Sequence, residues 1–228
     1  MENEKPNLAD MRISYEKFEL IEDSLHKTPL AQFNLWLHDA VEAGTERIPE
    51  PNAMVLSTVT EEGEVHSRTV LLKSLDETGL VFFTNYQSQK ANDIAENQNV
   101  SVLFPWYVLH RQVIVTGSVS KVSREESQSY FATRPYKSKL GAHISKQSSL
   151  IPNREVLETE MAELAQKYPE GTEIPLPDHW GGYLIKVNTI EFWQGRRSRL
   201  HDRLKFVRIN EGGLLDQADA WQITRLSP

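Results

Sequence analysis

The chain has 228 residues, with 25 Lys and Arg against 32 Asp and Glu, a formal net charge of −7 and no cysteine. This length fits one large domain or two small ones, and it is enough to bury a hydrophobic core. The lack of cysteine excludes disulfide bridges, thiolate zinc sites and cysteine nucleophiles. The acidic balance argues against a protein that binds nucleic acid through a broad positive field.

The first residues are polar and acidic, so no secretory signal is visible. The most apolar stretch, residues 100–109, contains a proline and is too short to cross a bilayer. We therefore expect a soluble, cytoplasmic protein.

Charge is unevenly distributed along the chain. Residues 1–64 hold 5 basic and 14 acidic residues, whereas residues 65–228 hold 20 and 18. Residues 134–148 carry four basic residues and no acidic one, and residues 191–208 carry six and two. Local positive charge within an acidic protein indicates sites for small anionic ligands.

The start of the chain predicts a polar arm over residues 1–27, followed by a single domain over residues 28–228. The pair Thr28-Pro29 is typical of a helix start. Apolar residues then recur at helical spacing until Gly44, which predicts the end of this helix.

From residue 53 the hydrophobic pattern changes to that of strands. Predicted strands cover residues 53–59, 65–73, 80–84, 100–104 and 111–121, with a short helix over residues 88–97. Hairpin turns are predicted at residues 61–63 and 76–79. This run is typical of an antiparallel barrel or sandwich.

The rest of the chain predicts helices and then strands. The helices cover residues 123–133, 137–146 and 153–168. The strands cover residues 182–187, 189–194, 204–209 and 221–226. The whole pattern predicts one α+β domain built on a mostly antiparallel β-barrel.

Two basic constellations lie in the predicted barrel. Arg68 and Lys73 end an apolar strand on opposite faces, so they suit two different anions or are the solvated ends of an edge strand. Between Thr84 and Lys90 a strand leads into a helix, where hydroxyls, a lysine and free N–H groups favour phosphate. Ser and Asn at such a junction are also ordinary helix caps.

A third constellation joins Tyr130 and Arg134, four residues apart on a helix. Pro135 then turns the chain, and Ser138 is a candidate cap for the next helix. A phenol, a guanidinium and a hydroxyl make a suitable phosphate clamp. A solvated helix face is the alternative.

The fourth constellation follows Trp193. In an extended chain Arg199, His201 and Arg203 share one side, and like-charge repulsion from the arginines opposes protonation of the histidine. A neutral imidazole between fixed cations suits an anionic ring, with nucleic acid as the alternative ligand.

Other chemistries lack support in the sequence. No metal-ligand spacing such as H-E-x-x-H is present, so we expect no metal site. The dinucleotide-binding, Walker and serine-hydrolase motifs are also absent.

Several short motifs also occur along the chain in the order typical of one known protein family. They are R-T-V-L-L-K (68–73), V-F-F-T-N (81–85), L-F-P-W (103–106), R-Q-V (111–113), Y-F-x-x-R-P (130–135), S-K-Q-S-S (145–149), W-G-G (180–182) and E-F-W-Q-G…R-L-H-D-R (191–203). Together they resemble the pyridoxine/pyridoxamine 5′-phosphate oxidase family over nearly the whole chain.

The resemblance implies a split β-barrel and a homodimer with FMN at the subunit interface. It also implies oxidation of pyridoxamine or pyridoxine 5′-phosphate to pyridoxal 5′-phosphate, with O2 as acceptor and hydrogen peroxide as co-product. The flavin would carry the redox chemistry, and the protein would bind and orient.

The resemblance also implies site residues. The implied FMN-binding residues are Arg68, Thr69, Val70, Leu71, Leu72, Lys73, Phe83, Thr84, Gln89, Lys90, Gln112, Gln147, Ser148, Trp193 and Arg203. The implied substrate-binding residues are Arg12, Tyr15, Lys73, Tyr130, Arg134, Ser138, Arg199, Leu200 and His201. Arg199 and His201 are also the implied catalytic pair, and Arg12 and Tyr15 make the arm a candidate lid.

Two positions depart from the family pattern, which usually has arginine at Gln89 and tyrosine at Phe83. Loss of that arginine removes a charge-assisted hydrogen bond worth roughly 1.5–3 kcal/mol. We expect weaker FMN binding unless Arg196 or Arg197 compensates.

Two other functions remain open. A related split-barrel oxidase of the phenazine type would act on another ring, and a non-catalytic protein would only bind FMN or pyridoxal phosphate. The motifs Y-x-x-x-R-P-x-x-S and S-K-Q-S-S favour the vitamin B6 phosphate.

Overall fold

The structure, a computed structural model, describes Tyr15 and residues 18–228. These residues form five α-helices and nine strands. The helices are α1 (Pro29–Glu42), α2 (Gln89–Glu96), α3 (Arg124–Thr133), α4 (Tyr136–Ile144) and α5 (Arg154–Lys167). The strands are β1 (Ala53–Val59), β2 (Val65–Leu71), β3 (Ser74–Leu75), β4 (Leu80–Asn85), β5 (Asn99–Trp106), β6 (Arg111–Lys121), β7 (Trp180–Gln194), β8 (Asp202–Arg208) and β9 (Trp221–Arg225).

All the strand pairs are antiparallel and belong to one curled sheet. The strand order is β2-β1-β5-β6-β7-β4-β3, and β8 pairs with β7 and β9. The first half of β7 pairs with β4 and its second half pairs with β8, while β6 runs along its other side. The predicted antiparallel α+β fold is confirmed.

The sequence prediction of two strands over residues 182–187 and 189–194 is wrong, because they form one continuous strand. Its register to β6 shifts between Thr116 and Gly117, opposite the stretch from Val187 to Thr189. A β-bulge therefore absorbs the extra residue, Asn188, and the strand bends without ending.

Helix termini follow the sequence closely. The Thr28 hydroxyl accepts a hydrogen bond from the backbone N–H of Ala31 at the start of α1, and Gly44 follows its last turn. Ser123 caps α3 by accepting from the N–H of Glu126. The predicted cap of α4 is wrong, because Pro135 precedes the helix and Ser138 lies within its first turn.

The main hydrophobic core lies inside the curl of the sheet. Alternate residues of β1, β5, β6 and β7 point inward, and α1 covers one opening with Phe33 and Trp36. A smaller core under α3 and α4 surrounds Phe131 and Trp180. Because β4 and β7 pass between the two cores, they fix the position of the helical layer against the barrel.

The sheet leaves an opening between β2 and β4. These strands meet near the turn into β3, where the N–H of Lys73 donates to the carbonyl of Val81. Beyond that contact they diverge, and α2, α3 and α4 border the space between them. Among the described residues, no helix is long and apolar enough to span a bilayer.

The bulge at Gly117 generates a test of the fold. A Cβ atom placed on Gly117 would lie 2.0 Å from the carbonyl oxygen of Lys186, so the backbone of β6 or β7 must shift. We expect Gly117→Ala to lower the free energy of unfolding by about 2–3 kcal/mol.

Gly212→Ala is the matched control, since a Cβ there meets nothing within 4 Å. It should change stability by less than about 0.5 kcal/mol. Urea unfolding of both variants measures the difference, and equal stabilities would contradict the close packing of β6 on β7.

Candidate active site

A cleft of about 870 Å³ occupies the opening between β2 and β4. Residues from both strands, from α2 and from the α3–α4 region line it. The site residues that line it are Arg68, Thr69, Val70, Leu71, Lys73, Phe83, Thr84, Gln89, Lys90, Tyr130, Arg134, Ser138, Gln147 and Ser148. Four separate segments of the sequence, 68–73, 83–90, 130–138 and 147–148, therefore meet at one cavity.

Lys90 lies at the end of the cleft where β4 leads into α2. Its Nζ donates to the hydroxyls of Thr84 and Ser88 and to Oε1 of Gln147, each at 3.2 Å. Burial, with the charge of Arg68 as a second cause, lowers the pKa of Lys90 to about 8. An anion bound here would favour the charged ammonium.

Behind this end of the cleft lies the buried carboxylate of Asp93. Its Oδ2 accepts from the hydroxyl of Thr58 at 2.5 Å and lies 3.1 Å from Nδ1 of His66 and 3.6 Å from a terminal guanidinium nitrogen of Arg68. Arg68 also donates to Thr58 at 2.7 Å. The network fixes Arg68 on the cleft wall, where burial lowers its pKa.

Another part of the cleft has an aromatic wall. The rings of Phe83 and Tyr130 stack at 4.0 Å, and the Trp180 ring lies nearly parallel to both, 5.5 Å from Phe83 and 6.1 Å from Tyr130 between ring centroids. The guanidinium carbon of Arg134 lies 4.5 Å from the Trp180 ring centroid. Burial lowers the pKa of Arg134, and one terminal nitrogen donates to the carbonyl of Ser138. These contacts hold the Arg134 guanidinium on the wall of the cleft, where it could bind an anion.

A second group of expected site residues lies elsewhere, around four rings that we call the ring cluster: Tyr15, His110, Trp193 and His201. Tyr15 lies 4.4 Å from His110, and Trp193 lies 4.6 Å from His201, between ring centroids. A Cβ on Gly195 would come within 2.9 Å of the Tyr15 ring. Tyr15 therefore packs onto the end of β7.

The loop after β7 presents Arg199 and His201. Arg199 has a left-handed backbone, with φ 62°, in a short turn, so the predicted extended arrangement with Arg203 is wrong. Burial lowers the pKa of His201, and the charge of Arg199 is the second cause. The expected resistance to protonation is thus confirmed in direction. The backbone N–H of Arg196 donates to Nδ1 of His201.

Gln112, Trp193 and Arg203 form one row across β6, β7 and β8. Arg203 is held by two hydrogen bonds to Glu191, at 2.7 and 3.2 Å. None of the three residues lines the cleft.

The ring cluster and the cleft lie at opposite ends of β7. Phe83 and Thr84 of the cleft pair with Gly182 and Gly181, whereas Trp193 lies near the other end of that strand. Eleven residues of strand correspond to about 35 Å along the chain. The ring cluster therefore lies far along β7 from the β4 side of the cleft.

Other expected site residues also do not line the cleft. Leu72 has a buried side chain, and its N–H and C=O both bond to Asn52, so it does not face the cleft. Leu200 is exposed beside Arg199. Arg196 bonds to Glu19, Asp202 and the carbonyl of Phe18, away from Gln89. Arg12 lies outside the described residues.

The sequence analysis missed His66, Asp93, His110 and Trp180. Period two along β2 puts His66 on the face of Arg68, and helical spacing puts Asp93 beside Lys90. Those two signals were available in the sequence. Among the described residues no cluster of His, Cys, Asp and Glu could hold a metal ion.

The lowered pKa of Lys90 predicts a pH effect on the stability of the ligand-free protein. The folded pKa of about 8 lies below the ordinary value of 10.5, so the unfolded chain binds more protons between these pH values. The contribution of Lys90 to stability therefore improves as pH rises from 8 towards 10.5. Lys90→Met should lose this gain, which is roughly 2 kcal/mol between pH 7 and 10.

Urea unfolding at both pH values measures the gain, with the exposed Lys186→Met as control. A wild-type minus Lys90→Met difference that does not vary with pH would contradict the buried ammonium.

Comparisons with known proteins agree with this geometry. The sequence model of the pyridoxamine 5′-phosphate oxidase family matches residues 40–168, and that of the pyridoxine 5′-phosphate oxidase C-terminal dimerisation region matches residues 180–228. The chain is 47% identical over 221 residues to a pyridoxine/pyridoxamine 5′-phosphate oxidase of Streptomyces avermitilis, covering 96% of each chain. It is 48% identical to the protein of that name from Trichormus variabilis, covering 97% and 98%.

Solved structures show the same fold. PhzG from Burkholderia lata, in complex with tetrahydrophenazine-1-carboxylic acid, has a TM-score of 0.83 at 27% identity, covering 94% of this chain and 100% of that one. A pyridoxamine 5′-phosphate oxidase-related, FMN-binding protein from Nostoc punctiforme has a TM-score of 0.66 at 15% identity, covering 87% and 96%. The predicted split barrel is confirmed, and the chain belongs to the pyridoxine/pyridoxamine 5′-phosphate oxidase family.

Proposed function

We propose that this chain oxidises pyridoxamine 5′-phosphate and pyridoxine 5′-phosphate to pyridoxal 5′-phosphate with FMN as its cofactor. The observation that carries the proposal is one cleft lined by two cationic groups from different elements, Arg68 with Lys90 and Arg134, in a chain of this family. Two phosphate esters, one on the cofactor and one on the substrate, match these two groups.

The residues of the cleft fit a flavin mononucleotide. Arg68 and Lys90 supply two cations, and the Ser148 hydroxyl accepts from the backbone N–H of Gln89 beside them. Along β2, Val70 and Leu71 offer apolar surface for a planar ring. FMN held there would supply the acceptor for the hydride that leaves the C4′ carbon of the substrate, and its reoxidation by O2 would yield hydrogen peroxide.

The substrate phosphate would bind to Tyr130, Arg134 and Ser138. The stacking of Arg134 on Trp180 fixes the plane of the guanidinium, which suits bidentate contact with phosphate oxygens. Lys73 lines the same cleft and extends positive charge towards the ring of the substrate.

His201 would orient the substrate ring as a hydrogen-bond donor. Its Nδ1 accepts from the Arg196 N–H, so the neutral ring carries its proton on Nε2. The lowered pKa of His201 keeps its imidazole neutral at physiological pH. Arg199, next to it, would stabilise negative charge on the substrate while hydride leaves.

Because the ring cluster does not line the cleft of its own chain and lies at the other end of β7 from the β4 contacts, we propose a homodimer in which each cleft receives the ring cluster of the other subunit. The outer face of the sheet supports this assembly. Val55, Leu103 and Ile114 lie side by side on β1, β5 and β6 and stay partly exposed in the single chain. The dimerisation region in the family model spans β7, β8 and β9.

The arm over residues 1–27 would act as a lid on the domain over residues 28–228. Tyr15 already contacts His201, at 5.8 Å between ring centroids. Arg12 would join it over the bound substrate. We place the enzyme in the cytoplasm, which its lack of cysteine fits.

Anaerobic reduction of the purified holoprotein tests the function. Pyridoxamine 5′-phosphate should bleach the visible band of oxidised flavin, and air should restore it with stoichiometric peroxide and aldehyde. Unphosphorylated pyridoxamine, the control, should act poorly because it leaves Arg134 without its anion. An oxidised flavin that persists with the phosphorylated substrate would refute the proposal, whether the protein is a phenazine-type oxidase or only a binding protein.

Arg199→Ala extends the same experiment to the catalytic pair. The rate of flavin reduction should fall about 10²-fold while FMN retention stays unchanged, because the charge acts on the substrate. Arg154→Ala on α5, whose exposed arginine pairs with Glu158 on the same helix face, is the control. Loss of FMN in step with activity would instead place Arg199 at the cofactor.

A further inference from the structure

His66 occupies the cationic end of the cleft and has no role in the function proposed so far. It lies on β2, two residues from Arg68 and on the same face. Its side chain is 29% exposed and lines the cleft, whereas the Asp93 side chain behind it is 4% exposed and does not. His66 is therefore open to a ligand on one side only.

The carboxylate of Asp93 fixes the proton of the imidazole. A carboxylate only accepts hydrogen bonds, so Nδ1 of His66, 3.1 Å away, carries a proton. Nε2 is left facing the cleft, where it lies 3.0 Å from Nε2 of Gln89. A neutral His66 accepts from the Gln89 amide, and a protonated one turns a second N–H towards the cleft.

The fixed charges at this end of the cleft leave a bound phosphate dianion one positive charge short of balance. Arg68 and Lys90 against Asp93 leave an excess of one positive charge. A protonated His66 raises the excess to two, which matches a phosphate monoester dianion. These are the charged groups that face His66 from its own strand and from α2, and the backbone N–H of Gln89 and the Ser148 hydroxyl complete the polar lining.

We propose that His66, oriented by Asp93, binds the 5′-phosphate of FMN as an imidazolium. In this chain the imidazolium would supply the positive charge that Gln89 lacks. The Gln89 amide would either turn its oxygen to accept a hydrogen bond from the imidazole N–H or move aside. The inference rests on the proposed FMN function and adds a cofactor-binding residue and a pH dependence to it.

Fluorescence titration of the flavin-free protein with FMN and with riboflavin separates phosphate contacts from ring contacts. His66→Ala should weaken FMN binding about tenfold at pH 6.5 and leave riboflavin binding unchanged. At pH 9, where an imidazole group is ordinarily uncharged, the ratio of wild-type to variant affinity should fall towards one. Titration of Lys90 and of the FMN phosphate affects both proteins and cancels in this ratio.

His66→Arg should restore FMN affinity at pH 6.5 and retain it at pH 9, because its charge is fixed. His38→Ala, at an exposed histidine of α1, is the control and should match wild type. Wild-type affinity for FMN in His66→Ala, or equal weakening of FMN and riboflavin, would overturn the role of His66 and leave the proposed function intact. Failure of the wild-type protein to bind FMN would overturn both.

Discussion

The site depends on one constraint: cationic side chains are partly buried in the cleft, and a single buried carboxylate lies behind them. Arg68 and Lys90 repel each other, and burial disfavours the charged form of each. Asp93 offsets part of this cost by contacting Arg68 and, through Thr58, the strand beside it. An anion would balance the remaining positive charge, which is the physical basis of the proposal that this part of the cleft binds a phosphate.

The curl of the sheet determines where this charge can be placed. β2 and β4 meet near Lys73 and then separate, so the cleft lies between two strands that would be hydrogen-bonded in a closed barrel. The long strand β7 carries the contacts of the cleft at one end and Trp193 at the other. The fold thus separates the ring cluster from the β4 side of the cleft by the length of a strand, and in the proposed homodimer a second copy of the chain would bring them together.

Local structure was largely predictable because short-range chemistry determines it. Thr28, Ser123 and Gly44 mark helix ends through their own side chains or backbone. The continuity of β7 was not predictable, because the bulge that absorbs Asn188 depends on how closely Gly117 approaches the neighbouring strand. Such a contact between residues distant in sequence leaves no periodic signal.

The candidate site, like the fold, was predictable from the sequence only in part. Residue types and spacing indicated anion binding at Arg68, Lys90 and Arg134, and the resemblance assigned a ligand to each. Neither indicated that Arg203 bonds to Glu191, or that Arg199 adopts a left-handed backbone in a turn. Those features depend on tertiary pairing of β7 with β8 and on the packing of the loop that joins them.

Subunit complementation tests most directly whether the two halves of the site come from different chains. Chains with Arg134→Ala and Arg199→Ala would be coexpressed with different tags, and the heterodimer isolated through both tags. A site shared between subunits restores one intact site per heterodimer, so oxidase activity should return to about half that of wild type. Activity no higher than that of either mutant homodimer would show that each site is built from one chain and would contradict the account.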